Sequence, residues 1–332
     1  MPDSAPRTAR LFAEAIVWDN VFPLEPWVGN DLDALGKLRA AGFSAVSLTI
    51  AGDNHTVGEA VQRLAAARRQ IAARPDFRLL LAVDDVVAAK REGKLAVGLH
   101  FEGTRCLERN LDMIAVFREL GVRHNLLAFN QGNSAGGGCG ETGDGGLTRF
   151  GRRVVAEMQR VGMLVDLSHT GARTTLDAFA MATRPMVISH SNCRAVHEHW
   201  RNVTDEQIRA CAATGGLVGL SGSSEYLGDP AASTEAMLRH VQHVADLVGP
   251  AHVGLGLDFV FDSDALNRWI SSRPEEWPGT DRPDWPGFRY ARPGQVAELV
   301  EALALRGWSD EALLGLLGQN HMRVCAAAWQ QG

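Results

Sequence analysis

The sequence predicts a (β/α)8 TIM barrel of the α/β class, and two features of the sequence lead to that fold. Eight short runs rich in Val, Leu and Ile recur along the 332-residue chain without polar/apolar alternation. Such runs are typical of strands that are buried on both faces of a parallel sheet. Segments with apolar residues three and four apart lie between them, as expected for amphipathic helices, and repeated strand-helix units of this number predict a closed barrel.

The predicted elements follow one another from residue 14 onward. The strands span residues 14–19, 44–50, 95–102, 125–129, 162–169, 186–190, 216–221 and 252–258. Helical spacing is clearest in residues 112–120, 150–160, 174–182 and 205–213. Gly121, Gly162 and Gly215 follow three of these segments, as expected for helix stops.

Two long segments, residues 130–147 and 261–293, follow predicted strands and are expected on the catalytic face. The second contains Trp269, Trp277 and Trp285 with several prolines. Segments of this composition commonly form pocket walls or subunit contacts, so we interpret it as a semi-rigid lid. No linker or repeat divides the chain, and a single domain over residues 1–332 is expected.

A doubly wound nucleotide-binding sheet is the alternative architecture. It requires G-x-G-x-x-G after an early strand. The comparable glycines lie at residues 254–256, inside the last predicted strand, and at 136–146, where no Lys-Ser/Thr follows. The barrel is therefore favoured.

Composition and charge exclude several classes of protein. The chain has 33 Lys and Arg against 39 Asp and Glu, a net charge of −6, and no basic run that would suit nucleic acid. Residues 1–17 lack the apolar core of a signal peptide, and no run of about 18 apolar residues follows, so we expect a cytoplasmic protein that does not bind membranes. The five scattered cysteines argue against a disulfide framework or a Cys-only zinc site.

The three lysines, Lys37, Lys90 and Lys94, do not end any predicted strand. A Schiff-base aldolase needs a desolvated lysine in its pocket, and a metal pair bridged by a modified lysine needs one as well. The chain fits neither mechanism.

Residues that carry chemistry end several predicted strands. The third run ends in Glu102, the fifth in His169, the sixth in His190 and the last in Asp258, and Asn130 follows the fourth. Barrel active sites are built at these strand ends, so the side chains should converge. A single histidine there would equally suit a structural role, but two imidazoles with carboxylates are a ligand set for zinc or a similar divalent ion.

Hydrolysis is the chemistry that such a centre favours, because a divalent ion acidifies water and polarises a carbonyl group. Asp258 is either a metal ligand or the base that takes a proton from the water and passes it to the leaving amine. The alternative is a structural role, in which Asp258 caps a helix or anchors a loop. An arginine in the loop after the sixth run, which contains Arg194 and Arg201, would clamp a substrate carboxylate or form a surface salt bridge.

Several long stretches carry a family resemblance. They are residues 146–170 (GLTRFGRRVVAEMQRVGMLVDLSHT), 185–202 (PMVISHSNCRAVHEHWRN) and 253–259 (VGLGLDF), supported by LGVR at 120–123 and GQNHMRV at 318–324. Over nearly the whole chain, the sequence resembles the membrane (renal) dipeptidase family, peptidase M19, of the amidohydrolase superfamily. The resemblance implies a (β/α)8 barrel that holds two zinc ions.

The resemblance also implies roles for individual residues. Glu102 matches a glutamate that bridges the metals, and His169 and His190 match histidines that bind one zinc. Asp258 matches the aspartate of the last strand. Arg201 matches an arginine that holds the free carboxylate of a dipeptide.

The chain departs from the family pattern at two places. Fully active members carry His-x-Asp at the end of the first strand, whereas Val21 and Pro23 stand there in this chain and cannot bind zinc. Many members have a histidine after the fourth strand that stabilises the tetrahedral intermediate, whereas residues 127–130 read LAFN here. Phe129 cannot donate to an oxyanion, so Asn130 substitutes as a catalytic and substrate-binding residue, the substrate differs, or hydrolysis is slow. The pattern LAFNQGN…GCGE…GLTRFG resembles a bacterial subgroup that commonly lacks the first His-x-Asp.

The sequence therefore predicts a metal-dependent hydrolase that cleaves a dipeptide or a related small amide bearing a carboxylate. Glu102, His169 and His190 would hold one zinc ion rather than two, with manganese or iron as alternatives, Asp258 would shuttle the proton and Arg201 would anchor the carboxylate. The competing hypothesis is a non-hydrolytic ligand-binding or tailoring relative, and a third is another metal-assisted reaction such as lactone opening or decarboxylation. The resemblance and the Trp-rich segment lead us to expect a homodimer.

Overall fold

The computed structural model of the chain describes residues 7–23 and 32–330. Its nine strands all pair in parallel. They are β1 Trp18–Pro23, β2 Ala45–Gly52, β3 Phe77–Leu79, β4 Leu95–Glu102, β5 Val122–Leu126, β6 Leu164–Asp166, β7 Val187–Ile188, β8 Leu217–Leu220 and β9 Val253–Leu255.

Eight of these strands close a barrel, in the order β1-β2-β4-β5-β6-β7-β8-β9. The ring closes where Leu255 of β9 pairs with Asp19 of β1. The strand β3 pairs with the first residues of β4 and is not needed for closure. The predicted (β/α)8 barrel is confirmed.

Helices follow the strands around the barrel. They are α1 Arg7–Glu14, α2 Leu35–Ala40, α3 Val57–Ala72, α4 Val83–Arg91, α5 Asp112–Glu119, α6 Arg149–Val161, α7 Ala172–Phe179, α8 Asp205–Ala213, α9 Ser224–Leu227, α10 Thr234–Val248, α11 Ser263–Ser271, α12 Gln295–Leu305, α13 Asp310–Leu314 and α14 Asn320–Ala328. None of the helices in the described ranges combines the length and the apolar character that crossing a bilayer requires.

The four predicted helices are α5, α6, α7 and α8, and their ends have local causes. The hydroxyl of Thr148 accepts a hydrogen bond from the Gly151 amide at the start of α6, which satisfies one free donor of the first turn. The same helix stops at Gly162, whose φ of 74° is in the left-handed region that favours glycine. At the start of α8, Thr204 and Gln207 form a reciprocal capping box.

The prediction for the first strand is wrong in its bounds, because residues 14–19 contain the end of a helix and the start of a strand. Glu14 is exposed and ends α1, whereas β1 runs from Trp18 to Pro23. The strand continues past Asp19 because Phe22 and Pro23 pair with β2. Proline is tolerated there because a register shift precedes it and β1 pairs with β9 only at Asp19.

The two long segments on the catalytic face differ from each other. Residues 130–147 contain neither a helix nor a strand of the barrel, as expected. Residues 261–293 are not a continuous loop, because α11 begins within them, where Asp262 caps the Ala265 amide. The tryptophans of this segment join one aromatic cluster over the mouth of the barrel, together with Phe288 and Tyr226.

Candidate active site

The candidate residues lie at the C-terminal ends of the barrel strands or in the loops that follow them. Glu102 is the last residue of β4. The other five follow β5, β6, β7 and β9 and are Asn130, His169, His190, Arg201 and Asp258. This common end of the barrel is where loops from different strands meet and where barrel enzymes place their chemistry.

Three of these residues form a centre that could hold a metal ion. One ligand atom from each of Glu102, His169 and His190 lies within 4.8 Å of the other two. The Nε2 atoms of the two histidines face each other at 2.8 Å, and the Nε2 atom of His190 is 3.8 Å from a Glu102 oxygen. Among the described residues, this is the one group of three or more such side chains with this geometry.

The ring of His169 is oriented by Asn130. Its Nδ1 atom lies 2.6 Å from the side-chain oxygen of Asn130. An amide oxygen can only accept, so Nδ1 carries the proton and Nε2 keeps its lone pair. Asn130 is fully buried behind the ring, and its oxygen also faces the Cys139 sulfur at 3.5 Å. This placement favours a positioning role for Asn130 over the direct substrate contact expected from the sequence.

The ring of His190 is oriented by a buried hydroxyl. The Ser189 hydroxyl lies 2.7 Å from Nδ1 of His190 and 3.1 Å from the Ser168 hydroxyl. Burial raises the pKa of the neighbouring Asp166 to about 6, while its carboxylate accepts hydrogen bonds from the Ser168 and Ser189 amides. In the tautomer in which Nδ1 of His190 donates to the Ser189 oxygen, Nε2 keeps the lone pair that metal binding requires.

These contacts bring the two Nε2 atoms to the same point. Burial, reinforced by the nearby Arg201 charge, lowers the pKa of both imidazoles well below the usual value, so both rings are neutral. In the tautomers that protonate both Nδ1 atoms, the two Nε2 lone pairs face each other 2.8 Å apart, and a cation beside them would relieve their repulsion. Neutral imidazoles with a neighbouring carboxylate fit a divalent ion, so the residues present suit the metal that the sequence predicts.

The carboxylate of Glu102 is surrounded by polar side chains of the barrel interior. Burial raises its pKa to about 7, while the Arg201 charge and a hydrogen bond from the Thr49 hydroxyl lower it. The Thr49 oxygen is in turn 2.9 Å from Nε2 of His100, which burial keeps neutral by lowering its pKa to about 3. A bound cation would favour the ionised form of Glu102.

Three residues of the site have unusual backbone conformations. Asn130, His169 and Asp258 have φ values of 53°, 59° and 57°, in the left-handed region that costs non-glycine residues free energy. Such conformations persist where the surrounding structure imposes them and are concentrated at functional sites. Here they turn each side chain at the end of its strand.

Asp258 lines the same cavity as Glu102 and His169. The preceding residue is fixed by a buried carboxylate, because the Leu257 amide donates to Asp19 at 2.8 Å. Burial raises the pKa of Asp19 to about 7, and the charge of Asp258 adds to this rise. Sequence reasoning did not assign a role to Asp19, which lies within β1 and positions the chain next to Asp258.

Arg201 is a buried cation on the other side of the centre. Its exposed fraction is 2%, and it donates to the His190 carbonyl at 2.8 Å and to the Ser191 hydroxyl. Its guanidinium group lies 5.5 Å from the centre of the Tyr226 ring. Within residues 7–23 and 32–330, no salt bridge to Arg201 is formed. A buried guanidinium of this kind suits the carboxylate of a bound molecule.

Two cavities meet at His169. One is mainly apolar and includes Glu102 and Asp258 in its lining. The other is lined by polar groups that include Arg194 and Arg201. A molecule that spans the centre would thus have its anionic end on one side and an apolar group on the other.

Val21 and Pro23, which stand where the family pattern has His-x-Asp, lie at the end of β1. Val21 is fully buried, and Pro23 lines the apolar cavity beside Asp258. Neither side chain has an atom that can coordinate zinc. The geometry of the described residues therefore provides one set of metal ligands at the mouth.

Asp53 is a residue of the site region that sequence reasoning missed. Its oxygens accept hydrogen bonds from the amides of Arg105 and Phe129, at 2.8 and 3.1 Å, and from the Asn133 side chain. These bonds join the loops after β2, β4 and β5. One clue to its place in the site is its position in the sequence, because Asp53 lies just beyond the second apolar run at residues 44–50. Gly103 has a φ of 129°, and a β-carbon there would collide with Asp53.

Comparison with known proteins identifies the family. The sequence profile of the family "Membrane dipeptidase (Peptidase family M19)" matches residues 30–267, which is more than half of the chain and includes all six candidate residues. The chain belongs to the membrane dipeptidase family. The resemblance noted in the sequence is thereby confirmed.

Individual members of this family match over different lengths. Dipeptidase verJ of Clonostachys rogersoniana is 31% identical over 310 residues, which are 89% of this chain and 74% of that protein. An uncharacterized dipeptidase of Schizosaccharomyces pombe is 34% identical over 192 residues. That match covers 55% of this chain and 46% of the fission yeast protein, so the chain matches about half the length of this relative.

A solved structure of an amidohydrolase from Pseudomonas aeruginosa has the same fold as this member of the membrane dipeptidase family. The two chains are 26% identical with a TM-score of 0.87. The superposition covers 97% of this chain and 99% of the other. The fold is therefore shared over nearly the full length of both chains.

Proposed function

We propose that the protein is a metal-dependent hydrolase that cleaves dipeptides or related small amides with a free carboxylate, using one zinc ion held by Glu102, His169 and His190. The observation that carries this proposal is the pair of neutral imidazoles whose Nε2 atoms face each other at 2.8 Å beside a carboxylate. Membership of the membrane dipeptidase family supports the reaction class. Another divalent metal would suit the same ligands.

In the proposed binding mode, different parts of the substrate lie on the two sides of the metal centre. Arg201 binds the substrate carboxylate through its planar guanidinium group, which leaves the amide bond next to the metal ligands. A divalent ion held there supplies Lewis acidity and makes nearby water more acidic. Asp258 accepts the proton of the attacking water and passes it to the leaving amine. Asn130 and Ser189 hold the two imidazoles in the tautomers that bind metal.

A non-hydrolytic relative is the second candidate function, and one observation favours it. The Phe129 ring is stacked on His169 with centroids 4.2 Å apart, where it offers no hydrogen-bond donor to a developing oxyanion. Losing one such donor typically lowers the rate by about 10²–10³. A protein that binds a carboxylate-bearing ligand without cleaving it would keep Arg201 and the metal ligands. The homodimer, the single domain and the cytoplasmic location stay predictions.

We expect the purified protein to bind about one divalent ion per chain, since Val21 and Pro23 replace the first ligand pair. Elemental analysis of the protein, combined with an assay of a dipeptide panel, measures both the metal and the reaction. One ion with dipeptide cleavage would support the proposal. Two fully occupied ions would contradict the single centre, whereas a metal-free protein that cleaves nothing would favour the non-hydrolytic candidate.

Replacing Arg201 with lysine is expected to raise KM for dipeptides by an amount that corresponds to about 1–3 kcal/mol. Lysine keeps the charge but loses the planar fork that pairs with a carboxylate. Steady-state kinetics on dipeptides and on their C-terminal amides measures the effect, and the amides should respond little. The matched control is Arg209→Lys on the exposed side of α8, which should not change KM. Unchanged kinetics of Arg201→Lys on every substrate would remove the anchoring role.

A further inference from the structure

Most residues that line the apolar cavity beside the metal ligands have no role in the proposed reaction. Glu102, His169 and Asp258 line one end of it. The rest of its lining includes aromatic and aliphatic side chains from the loop after β5 and from residues 261–293, namely Phe129, Leu266, Trp269, Ile270, Trp277 and Tyr290. The cavity is thus continuous with the site at which the amide would be cleaved.

The aromatic surface begins at the imidazole of His169. Phe129 is stacked on this ring at an interplanar angle of 23°. Trp277 forms T-shaped contacts with Phe129 and with His169, with centroid distances of 5.6 and 6.2 Å. Trp277 itself is 7% exposed and packs against Phe288 of the same cluster. These contacts fix an apolar surface next to the reacting group, since buried aromatic rings pack in defined geometries.

The size of the cavity suits one ring or one branched aliphatic group. Its volume is about 120 Å³. An apolar protein cavity of about 150 Å³ stays dry and binds a benzene molecule. The cavity in this protein would therefore accept a side chain such as that of phenylalanine or leucine.

The position of Arg201 sets which end of a substrate reaches this cavity. Arg201 lines the polar cavity on the opposite side of His169. A dipeptide whose C-terminal carboxylate binds Arg201 has its amide at the metal ligands and its N-terminal residue beyond them. The side chain of the N-terminal residue is then the group that meets Phe129 and Trp269.

We infer that this cavity binds the N-terminal side chain of the substrate and selects dipeptides in which that side chain is aromatic or large and aliphatic. The inference rests on the proposed function and adds the substrate class. Two charged side chains of this lining, Asp53 and Arg63, bind backbone and side-chain groups of the surrounding loops and strands. Asp53 is occupied by hydrogen bonds from the loops, and Arg63 donates to the Ile50 carbonyl at 2.5 Å.

The experiment compares kcat/KM of the zinc-loaded enzyme on Phe-Ala, Leu-Ala, Ser-Ala, Glu-Ala and the reversed dipeptide Ala-Phe. Phe-Ala and Leu-Ala should exceed Ser-Ala and Glu-Ala by about 10- to 100-fold, the range that apolar pocket contacts provide. Phe-Ala should also exceed Ala-Phe, which has the same composition but places its ring on the Arg201 side. This comparison separates the position of the apolar group from its hydrophobicity.

Two tryptophan variants test the cavity itself. Trp269→Ala should reduce the ratio of kcat/KM for Phe-Ala to that for Ser-Ala by about tenfold, because Trp269 lines the cavity. Trp285→Ala is the matched control, since Trp285 contacts Phe288 and Glu225 in the same aromatic cluster but does not line the cavity. It should keep the wild-type ratio. Trp269→Leu, which retains an apolar group, should give a ratio between those of the wild type and Trp269→Ala.

The outcomes distinguish this inference from the proposed function. Cleavage without preference, a preference for Glu-Ala, Ser-Ala or Ala-Phe, or an unchanged ratio in Trp269→Ala would overturn the inference alone. Failure to cleave any member of the panel would overturn the inference together with the proposed dipeptidase activity.

Discussion

Replacing His190 with alanine is expected to weaken the binding of Zn²⁺ by more than about 100-fold, since even residues that only orient metal ligands typically contribute about 10–100-fold. The variant loses one of the two facing nitrogens and leaves Glu102 and His169 as the remaining ligands of the described centre. His169→Ala should have a similar effect, because its Nε2 atom faces the same point. Calorimetric titration of the metal-depleted proteins with Zn²⁺ measures the affinity.

A matched control separates the loss of a ligand from the loss of packing. His240 is also buried, accepts a hydrogen bond from the Cys193 amide at 3.0 Å and is not part of the metal centre. His240→Ala should lower the melting temperature of the metal-free protein and bind Zn²⁺ as the wild type does. If His190→Ala and His169→Ala instead bound Zn²⁺ with wild-type affinity, the two histidines would be structural residues.

Ser189→Ala provides a graded comparison within the same experiment. It keeps both imidazoles but removes the hydroxyl that lies 2.7 Å from His190 Nδ1 and would accept its proton in the metal-binding tautomer. The expected loss of Zn²⁺ affinity is about 10–100-fold, smaller than that of a ligand variant. Ser189→Thr retains the hydroxyl and should restore much of the affinity, which a purely steric effect would not do.

The positions of the metal-centre residues were predictable because they depend on where strands end. The run at residues 95–102 is β4 itself, so Glu102 could be placed at the mouth directly. His169 and His190 follow strands that are shorter than their apolar runs, yet they lie at the same end of the barrel. Burial in a parallel sheet produces an apolar run whether or not each residue forms ladder hydrogen bonds.

Other features depend on contacts between distant residues and were not predictable. The strand β3 is three residues long and contains Arg78, and the apolar run at residues 79–83 overlaps it only at Leu79 before α4 begins at Val83. The orientation of Asn130 toward His169 follows from a left-handed backbone conformation that its neighbours in the chain do not encode. Asp53 and Asp166 look like ordinary strand-end carboxylates in the sequence, and only the fold shows that loop amides and Ser189 surround them.

Replacing Asp258 with asparagine is expected to lower kcat for dipeptides by about 10²–10⁴, the contribution of a positioned acid or base, while Zn²⁺ affinity changes little. Asparagine has nearly the same shape but cannot accept the proton of water and pass it to the leaving amine. Steady-state kinetics at saturating zinc, with a parallel Zn²⁺ titration, separates the two roles that the sequence leaves open. A large loss of Zn²⁺ affinity would make Asp258 a ligand, and unchanged kcat would leave it as a loop-anchoring residue. Asp262→Asn is the matched control, because this exposed carboxylate caps α11 at 2.9 Å, outside the lining of the cavity, and asparagine preserves the capping oxygen.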